Sequence, residues 1–261
     1  MNQAERRIWL IKALLDERPD GCSIAVPAGA SEQRNLLRAL MNVRLPEALA
    51  TETLDIQDAY LQQRLLERGG ATDAGTLPYR DRVAIWRGDI TLLKADAIVN
   101  AANSQMLGCF VPGHRCIDNA IHTYAGMQLR LACANLMNEQ GHEEPTARVK
   151  VTPAFNLPSS YVFHTVGPIV PSHKPGPREE LLLRRCYASC LEEATRRGLG
   201  TLAFCCISTG VFGYPQKAAA HVAIDAVRHH LDHTDPNLKV IFNVFLASDE
   251  AIYRSLLQTN Q

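Results

Sequence analysis

From Val83 onward, short apolar runs alternate with stretches of helical periodicity, and this alternation narrows the fold more than any other feature. The runs at 83–86, 97–101, 149–154, 162–166, 202–207 and 240–246 have the length of strands. Residues 118–138, 178–196, 216–231 and 249–257 carry apolar positions at helical spacing. Such a chain builds a mainly parallel or mixed sheet covered by helices on both faces. Ligands of such sheets bind at the carboxyl ends of the strands. Two polar motifs adjoin those ends: Asn100-Ala101-Ala102-Asn103 and Ser208-Thr209-Gly210-Val211-Phe212-Gly213.

The first 75 residues read differently. Ile8, Ile11 and Leu15 share one face of a first helix. Ser31 is placed to cap a second, with Leu36, Leu37 and Leu40 facing inward. Ile56, Tyr60 and Leu65 mark a third, which stops at Gly69-Gly70. The stretch 69–78 (GGATDAGTLP) reads as a linker. The expected organisation is therefore a helical extension at 1–75 and an α/β unit at 76–261.

Composition excludes several classes. No stretch is apolar and long enough to span a bilayer. The amino terminus lacks a signal-peptide core, since charge appears at once and Lys12 breaks the apolar stretch 8–15. A cytoplasmic protein is the expectation, and there the eight cysteines stay reduced. Cys205 and Cys206 then read as buried strand residues, Cys186 and Cys190 as one packed helix face, and Cys22 and Cys133 as core. The formal net charge of +0 supplies no global field toward nucleic acid or an anionic membrane. An anionic ligand must instead be held by local backbone donors.

One loop concentrates metal-ligand chemistry. Cys109, His114 and Cys116 lie in the run Gly108-Cys109-Phe110-Val111-Pro112-Gly113-His114-Arg115-Cys116. Two thiols and an imidazole suit Zn²⁺, and the absence of a fourth Cys or His within the run is the ligand count of an open site. Two buried thiols beside an unrelated histidine would give the same spacing. The spacing alone leaves both readings open.

The other polar positions are similarly two-sided. Asp89, in Gly88-Asp89-Ile90-Thr91, can accept from an exocyclic amine or cap a turn. The two glycines of 208–213 allow backbone N–H groups to approach a phosphate, or simply make a tight turn. Asn103 can bind a hydroxyl or orient a water. Asp118, at a helix start, can act as a base, hold a ligand or metal-bound water, or merely suit the positive helix end. His122 lies one turn later on the same face, placed as a fourth ligand, a supporting group or packing. His164 reads as a core histidine, His173 as solvent-facing or at a cleft rim, and His229, His230 and His233 as surface residues.

Taken in order, the blocks Trp86-Arg87-Gly88-Asp89-Ile90-Thr91, 95–104, Ile117-Asp118-Asn119-Ala120-Ile121-His122 and 207–215 closely resemble the macrodomain family, whose members bind ADP-ribose. The resemblance spans roughly 77–261 and implies a three-layer α/β/α sandwich with a mixed central sheet. Most hydrolytic macrodomains carry a glycine-rich run before the Asp of the third block, where this chain has Gly113-His114-Arg115-Cys116. Ligands in that place resemble the zinc-dependent branch, found beside a sirtuin-type ADP-ribosyltransferase in microbes.

The resemblance implies roles. Asp89 with the Ile90 backbone reads adenine. Ser208, Thr209, Gly210, Val211 and Phe212 cradle the diphosphate, with Phe212 flanking it. Asn103, Cys116, Ile117 and Asp118 surround the distal ribose, Asn103 and Asp118 as the catalytic pair, and Asn100 ties down the loop. Cys109, His114 and Cys116 hold one Zn²⁺. The implied activity is zinc-dependent hydrolysis of protein-linked mono-ADP-ribose. A non-catalytic ADP-ribose-binding module and an O-acetyl-ADP-ribose deacetylase are the alternatives. The implied partners are an ADP-ribosylated protein, such as a lipoyl carrier related to the glycine-cleavage H protein, and a sirtuin-type transferase.

Overall fold

The computed structural model describes residues 1–234 and 237–259, excepting the side chains of Cys22 and Thr259. Three helices come first: α1 (Gln3–Asp16), α2 (Ala30–Val43) and α3 (Thr51–Glu67). Asn2 and Glu5 form a capping box at the start of α1. Ser31 does not cap α2. Gly29 takes the cap position and Ser31 lies within the first turn. Leu10, Ile11, Leu14 and Leu15 bury one stripe of α1 against Leu37, Leu40, Tyr60 and Leu61, and Ile8 lies beside that stripe, partly exposed. The expected stop after α3 is real: Gly69 and Gly70 both take positive φ (106° and 77°), which a side chain resists.

The stretch 69–78 is not a free tether. It holds β1 (Thr72–Asp73), which pairs in parallel with β3 (Leu93–Lys94), and it buries Ala74. The other strands are β2 (Val83–Arg87), β4 (Ala97–Ala102), β5 (Val149–Pro153), β6 (Tyr161–Val166), β7 (Thr201–Phe204) and β8 (Lys239–Val244). They form one sheet in the order β2-β8-β7-β4-β6-β5, parallel throughout except for β5 against β6. Helices α4 (Ile117–Ala125), α5 (Met127–Gln140), α6 (Pro177–Arg196), α7 (Gln216–His233) and α8 (Ala247–Thr259) complete a three-layer α/β/α sandwich. Ile98, Val99, Phe163, Leu202, Ala203 and Phe242 are at most 1% exposed, which follows from apolar runs covered on both faces.

Three sequence expectations are corrected here. The stretch 118–138 is two helices, because Gly126 at φ 99° ends α4 and starts α5. The ladder of β7 stops at Phe204, so Cys205 and Cys206 lie beyond it, Cys205 buried and Cys206 partly exposed. His230 is not a surface residue: it is 8% exposed, with Nε2 3.0 Å from Thr195 Oγ1. Cys133, Cys186 and Cys190 are buried as expected. Among the described residues no helix is long and apolar enough to cross a membrane.

Candidate active site

Strand order determines which loops meet. Because β2, β8, β7 and β4 are parallel neighbours, their carboxyl ends share one edge of the sheet. Reading along that edge gives Asp89 after β2, Phe245 after β8, the loop 208–213 after β7, and Asn103 after β4. Three strand spacings separate the ends, about 14 Å. Residues as far apart in sequence as Asp89 and Phe245 thus lie along one edge of the sheet.

At the β2 end, Asp89 caps a short 3₁₀ turn (Ile90–Leu92). Its Oδ1 accepts from the Thr91 N–H (3.0 Å) and hydroxyl (2.7 Å). The capping role is therefore realised, yet the side chain stays 34% exposed, with Oδ2 directed elsewhere. Asn243 Nδ2 donates to Gly88 O at 2.9 Å and locks this turn onto β8. Phe245 follows β8 and is 73% exposed. The sequence reading had continued the strand through it. An aromatic side chain left in solvent at the strand end neighbouring that of Asp89 can offer a face to a flat heterocycle.

In the middle of the track, Ser208 takes a positive φ of 65° and is buried against Gly167, where even a Cβ would meet Ser208 Oγ at 2.1 Å. Tyr214 N–H donates to Ser208 O (2.9 Å) and Gly213 N–H to Gly210 O (3.0 Å), closing the loop. Among the described residues no acceptor faces the N–H groups of Gly210, Val211 and Phe212. Successive unpaired backbone donors in a tight loop are the kind of group that can bind an anion. His173 Nδ1 sits 2.7 Å from Gly213 O, which places this histidine at the rim of the cleft.

At the β4 end each asparagine holds a different part of the site. Asn103 Nδ2 donates to Gly108 O (3.0 Å) and so ties down the loop, and it approaches Asp118 Oδ2 (3.4 Å). Asn100 is fully buried and donates to Asp118 Oδ1 (2.8 Å) and to His164 Nδ1 (3.1 Å). Burial raises the Asp118 carboxyl to about 6 against the opposing pull of Asn100 and the Arg130 charge. Burial likewise drives His122 well below, and His164 down to about 3, so both imidazoles are neutral. The structure groups His122 with Cys133 and His164 rather than with the loop thiols. His122 Nε2 lies 3.6 Å from Asp118 Oδ1.

Cys109, His114 and Cys116 do converge, their ligand atoms all within 4.8 Å of one another. Cys109 Sγ and His114 Nδ1 are 3.5 Å apart. A tetrahedral zinc with bonds of about 2.3 Å to sulfur and about 2.0 Å to nitrogen spans an S···N edge of about 3.5 Å. The donor set and spacing therefore fit that ion, with one position left over. Cys116 is also the N-cap of α4, so Ile117 and Asp118 follow at once in its first turn. Burial pushes the Cys116 thiol up to about 11, which a bound cation would reverse.

The helical extension braces this loop, a feature with no signal in the sequence. Arg38 donates to Asn119 Oδ1 (2.7 Å) and His114 O (3.2 Å). Asn42 accepts from the Gly113 N–H (2.9 Å) and donates to Thr123 Oγ1 (2.9 Å).

A doubly covered α/β sheet thus carries an exposed aromatic, a loop with unpaired backbone N–H groups and a Cys/His loop along one edge. The Macro domain family matches residues 99–223. A Treponema medium protein named protein-ADP-ribose hydrolase is 51% identical over 261 residues, spanning 98% of this chain and 100% of its own. A Fusarium oxysporum f. sp. cubense protein named probable bifunctional ADP-ribose hydrolase/ADP-ribosyltransferase is 44% identical over 185 residues, 67% of this chain but 31% of its own. The Trypanosoma brucei macrodomain in complex with ADP-ribose superposes with a TM-score of 0.64 at 30% identity, covering 84% of this chain and 94% of that one. The chain belongs to the macrodomain family.

Proposed function

We propose that this chain is a zinc-dependent hydrolase that removes mono-ADP-ribose from modified protein side chains. The observation that carries this reading is the order of features along the sheet edge: Asp89 and Phe245, then the free N–H groups of 210–212, then Asn103, Asp118 and the Cys/His loop. Adenine, diphosphate and distal ribose follow one another in ADP-ribose in the same sequence. The hydrolase name of the whole-length Treponema relative supports the bond-breaking half of the reading.

In this reading Asp89 accepts from the adenine amine, next to the Ile90 backbone and the Phe245 ring. The N–H groups of Gly210, Val211 and Phe212 hold the diphosphate, with Ser208 and Thr209 shaping the loop. Asn103 has a buried Oδ1 with no partner among the described residues, and in this reading it accepts from a ribose hydroxyl or a water. Cys116 and Ile117 wall the ribose. Asp118, with its carboxyl near 6, takes the proton of the attacking water as the bond from the anomeric carbon to the side chain breaks. A zinc held by Cys109, His114 and Cys116 would supply Lewis acidity, polarising an oxygen at its open position. The modified partner is taken as a small lipoyl carrier related to the glycine-cleavage H protein, opposed by a sirtuin-type transferase. The metal-loop resemblance supports that pairing, and the ADP-ribosyltransferase activity named for the Fusarium relative supports a transferase as its opposing half.

The test is release of ADP-ribose from a mono-ADP-ribosylated protein. Wild type should release it, and Asp118→Ala should slow release by about 10²–10⁴-fold, the usual worth of a positioned acid–base group. Binding of ADP-ribose with no release from any modified protein would make the chain a binding module instead.

A further inference from the structure

Arg68 closes α3, the last helix of the extension, yet its side chain does not serve the extension. Its guanidinium donates from Nη2 to Asp89 Oδ2 and to Thr91 Oγ1 (2.8 Å). Its central carbon stacks 3.5 Å from the centroid of the Tyr124 ring, on α4. The side chain is only 13% exposed. A planar cation pinned on an aromatic face, with its edge turned to a carboxylate, is a fixed donor rather than a mobile surface charge.

The consequence for Asp89 follows from lone-pair counting. Oδ1 is taken by the N–H and O–H of Thr91. Oδ2 receives Arg68 and keeps capacity for one further donor. The carboxylate is thus held from two sides, and the side chain remains 34% exposed. Such a group accepts one hydrogen bond from one direction and rejects a ligand that brings a second acceptor there.

We infer that Arg68 is a specificity-determining positioning residue of the adenine subsite, so that the helical extension supplies part of the ligand cleft. The inference rests on the reading that Asp89 accepts from the adenine amine. Arg68 touches Asp89, not the base. It fixes which oxygen faces the ligand. Bases with a 6-amino group are accepted; bases with a 6-oxo group meet the carboxylate acceptor to acceptor. Arg68→Lys keeps the charge and loses the planar guanidinium that stacks on Tyr124 while presenting Nη2 to Asp89 and Thr91.

The experiment compares ADP-ribose with inosine diphosphate ribose, its 6-oxo counterpart, by calorimetry on full-length wild type, Arg68→Met, Arg68→Lys and Asp89→Ala. The ratio of the two affinities is independent of the fraction of each variant that is folded. Wild type should prefer ADP-ribose by about tenfold or more, the worth of a charged hydrogen bond. Arg68→Met and Asp89→Ala should both bring the ratio to within about threefold, with Arg68→Lys between. On a mono-ADP-ribosylated protein, Arg68→Met should raise KM and hold kcat, because the bond broken lies at the other end of the cleft. If Asp89→Ala loses the preference and Arg68→Met retains it, the positioning role is wrong and the adenine reading stands. If Asp89→Ala also retains it, or wild type shows none, the adenine reading is wrong and the inference falls with it.

Discussion

Asn100 Nδ2 donates to Asp118 Oδ1 at 2.8 Å, and the same nitrogen lies 3.1 Å from His164 Nδ1. Both protons of that amide are therefore spent, one on the carboxylate and one on the ring. His164 must accept at Nδ1, so its proton sits on Nε2, 2.9 Å from Thr152 Oγ1. A strand residue with no solvent contact thus fixes both the orientation of Asp118 and the tautomer of a neighbouring histidine.

The buried carboxylate should be visible in stability. Asp118 is raised from 3.8 to about 6 in the folded protein, by burial. Between those values the folded state binds more protons than the unfolded state, so Asp118 makes stability fall as pH rises from about 4 to about 6. Asp118→Asn removes that slope. In metal-free protein, the stability of Asp118→Asn relative to wild type should rise by roughly 2 kcal/mol between pH 4 and pH 7 in urea unfolding. A constant difference across that window would show that Asp118 is not a desolvated carboxyl.

The brace from the extension should matter to the metal loop. Asn42→Ala removes the acceptor for the Gly113 N–H, and Arg38→Ala removes the donor to His114 O and Asn119 Oδ1. The loop ligands then lose preorganisation. Zinc affinity, read by competition with a chromogenic chelator, should fall about tenfold in either variant, in line with the loss of about 1.5 kcal/mol for a hydrogen bond. Unchanged affinity would make the contacts mere packing.

Gly126 separates α4 from α5 at φ 99°, and a Cβ there would meet Gln128 Oε1 at 2.5 Å and Gln57 Nε2 at 2.8 Å. Gly126→Ala should cost roughly 2–4 kcal/mol in chemical unfolding, from backbone strain and displaced amides. It should also weaken the seam with the extension, since Gln57 Nε2 bonds Gln128 Oε1 and Gln57 Oε1 accepts from Met127 N–H.

These positions also show what a sequence reveals. The strands were legible because doubly covered strands are apolar runs, and 97–101 became Ala97–Ala102 with little change. The break at Gly126 was not, because Ile121, Ala125, Leu129 and Cys133 continue one buried stripe at a spacing of four across it. Phe245 read as part of the strand run 240–246, since nothing in an apolar run marks where the ladder ends. The Cys/His loop was legible from ligand chemistry concentrated in a short segment. Arg38, Asn42 and Arg68 were not. Each is an ordinary polar residue on a helix, and its partner lies 21 to 81 positions away.

The central claim is that bond breaking depends on metal at the Cys109–His114–Cys116 loop while most of the ligand is held elsewhere, by Asp89 and the loop 208–213. The direct measurement is to strip the protein with a chelator, confirm its fold by circular dichroism, and measure two quantities on one sample. These are calorimetric affinity for ADP-ribose and release of ADP-ribose from a modified carrier protein. A metal used in the transition state should cost turnover far more than affinity. The account predicts that release falls at least about a hundredfold and returns with added zinc, while affinity changes by less than about tenfold. Full release by metal-free protein would contradict it and leave zinc, if bound at all, as a staple of the loop.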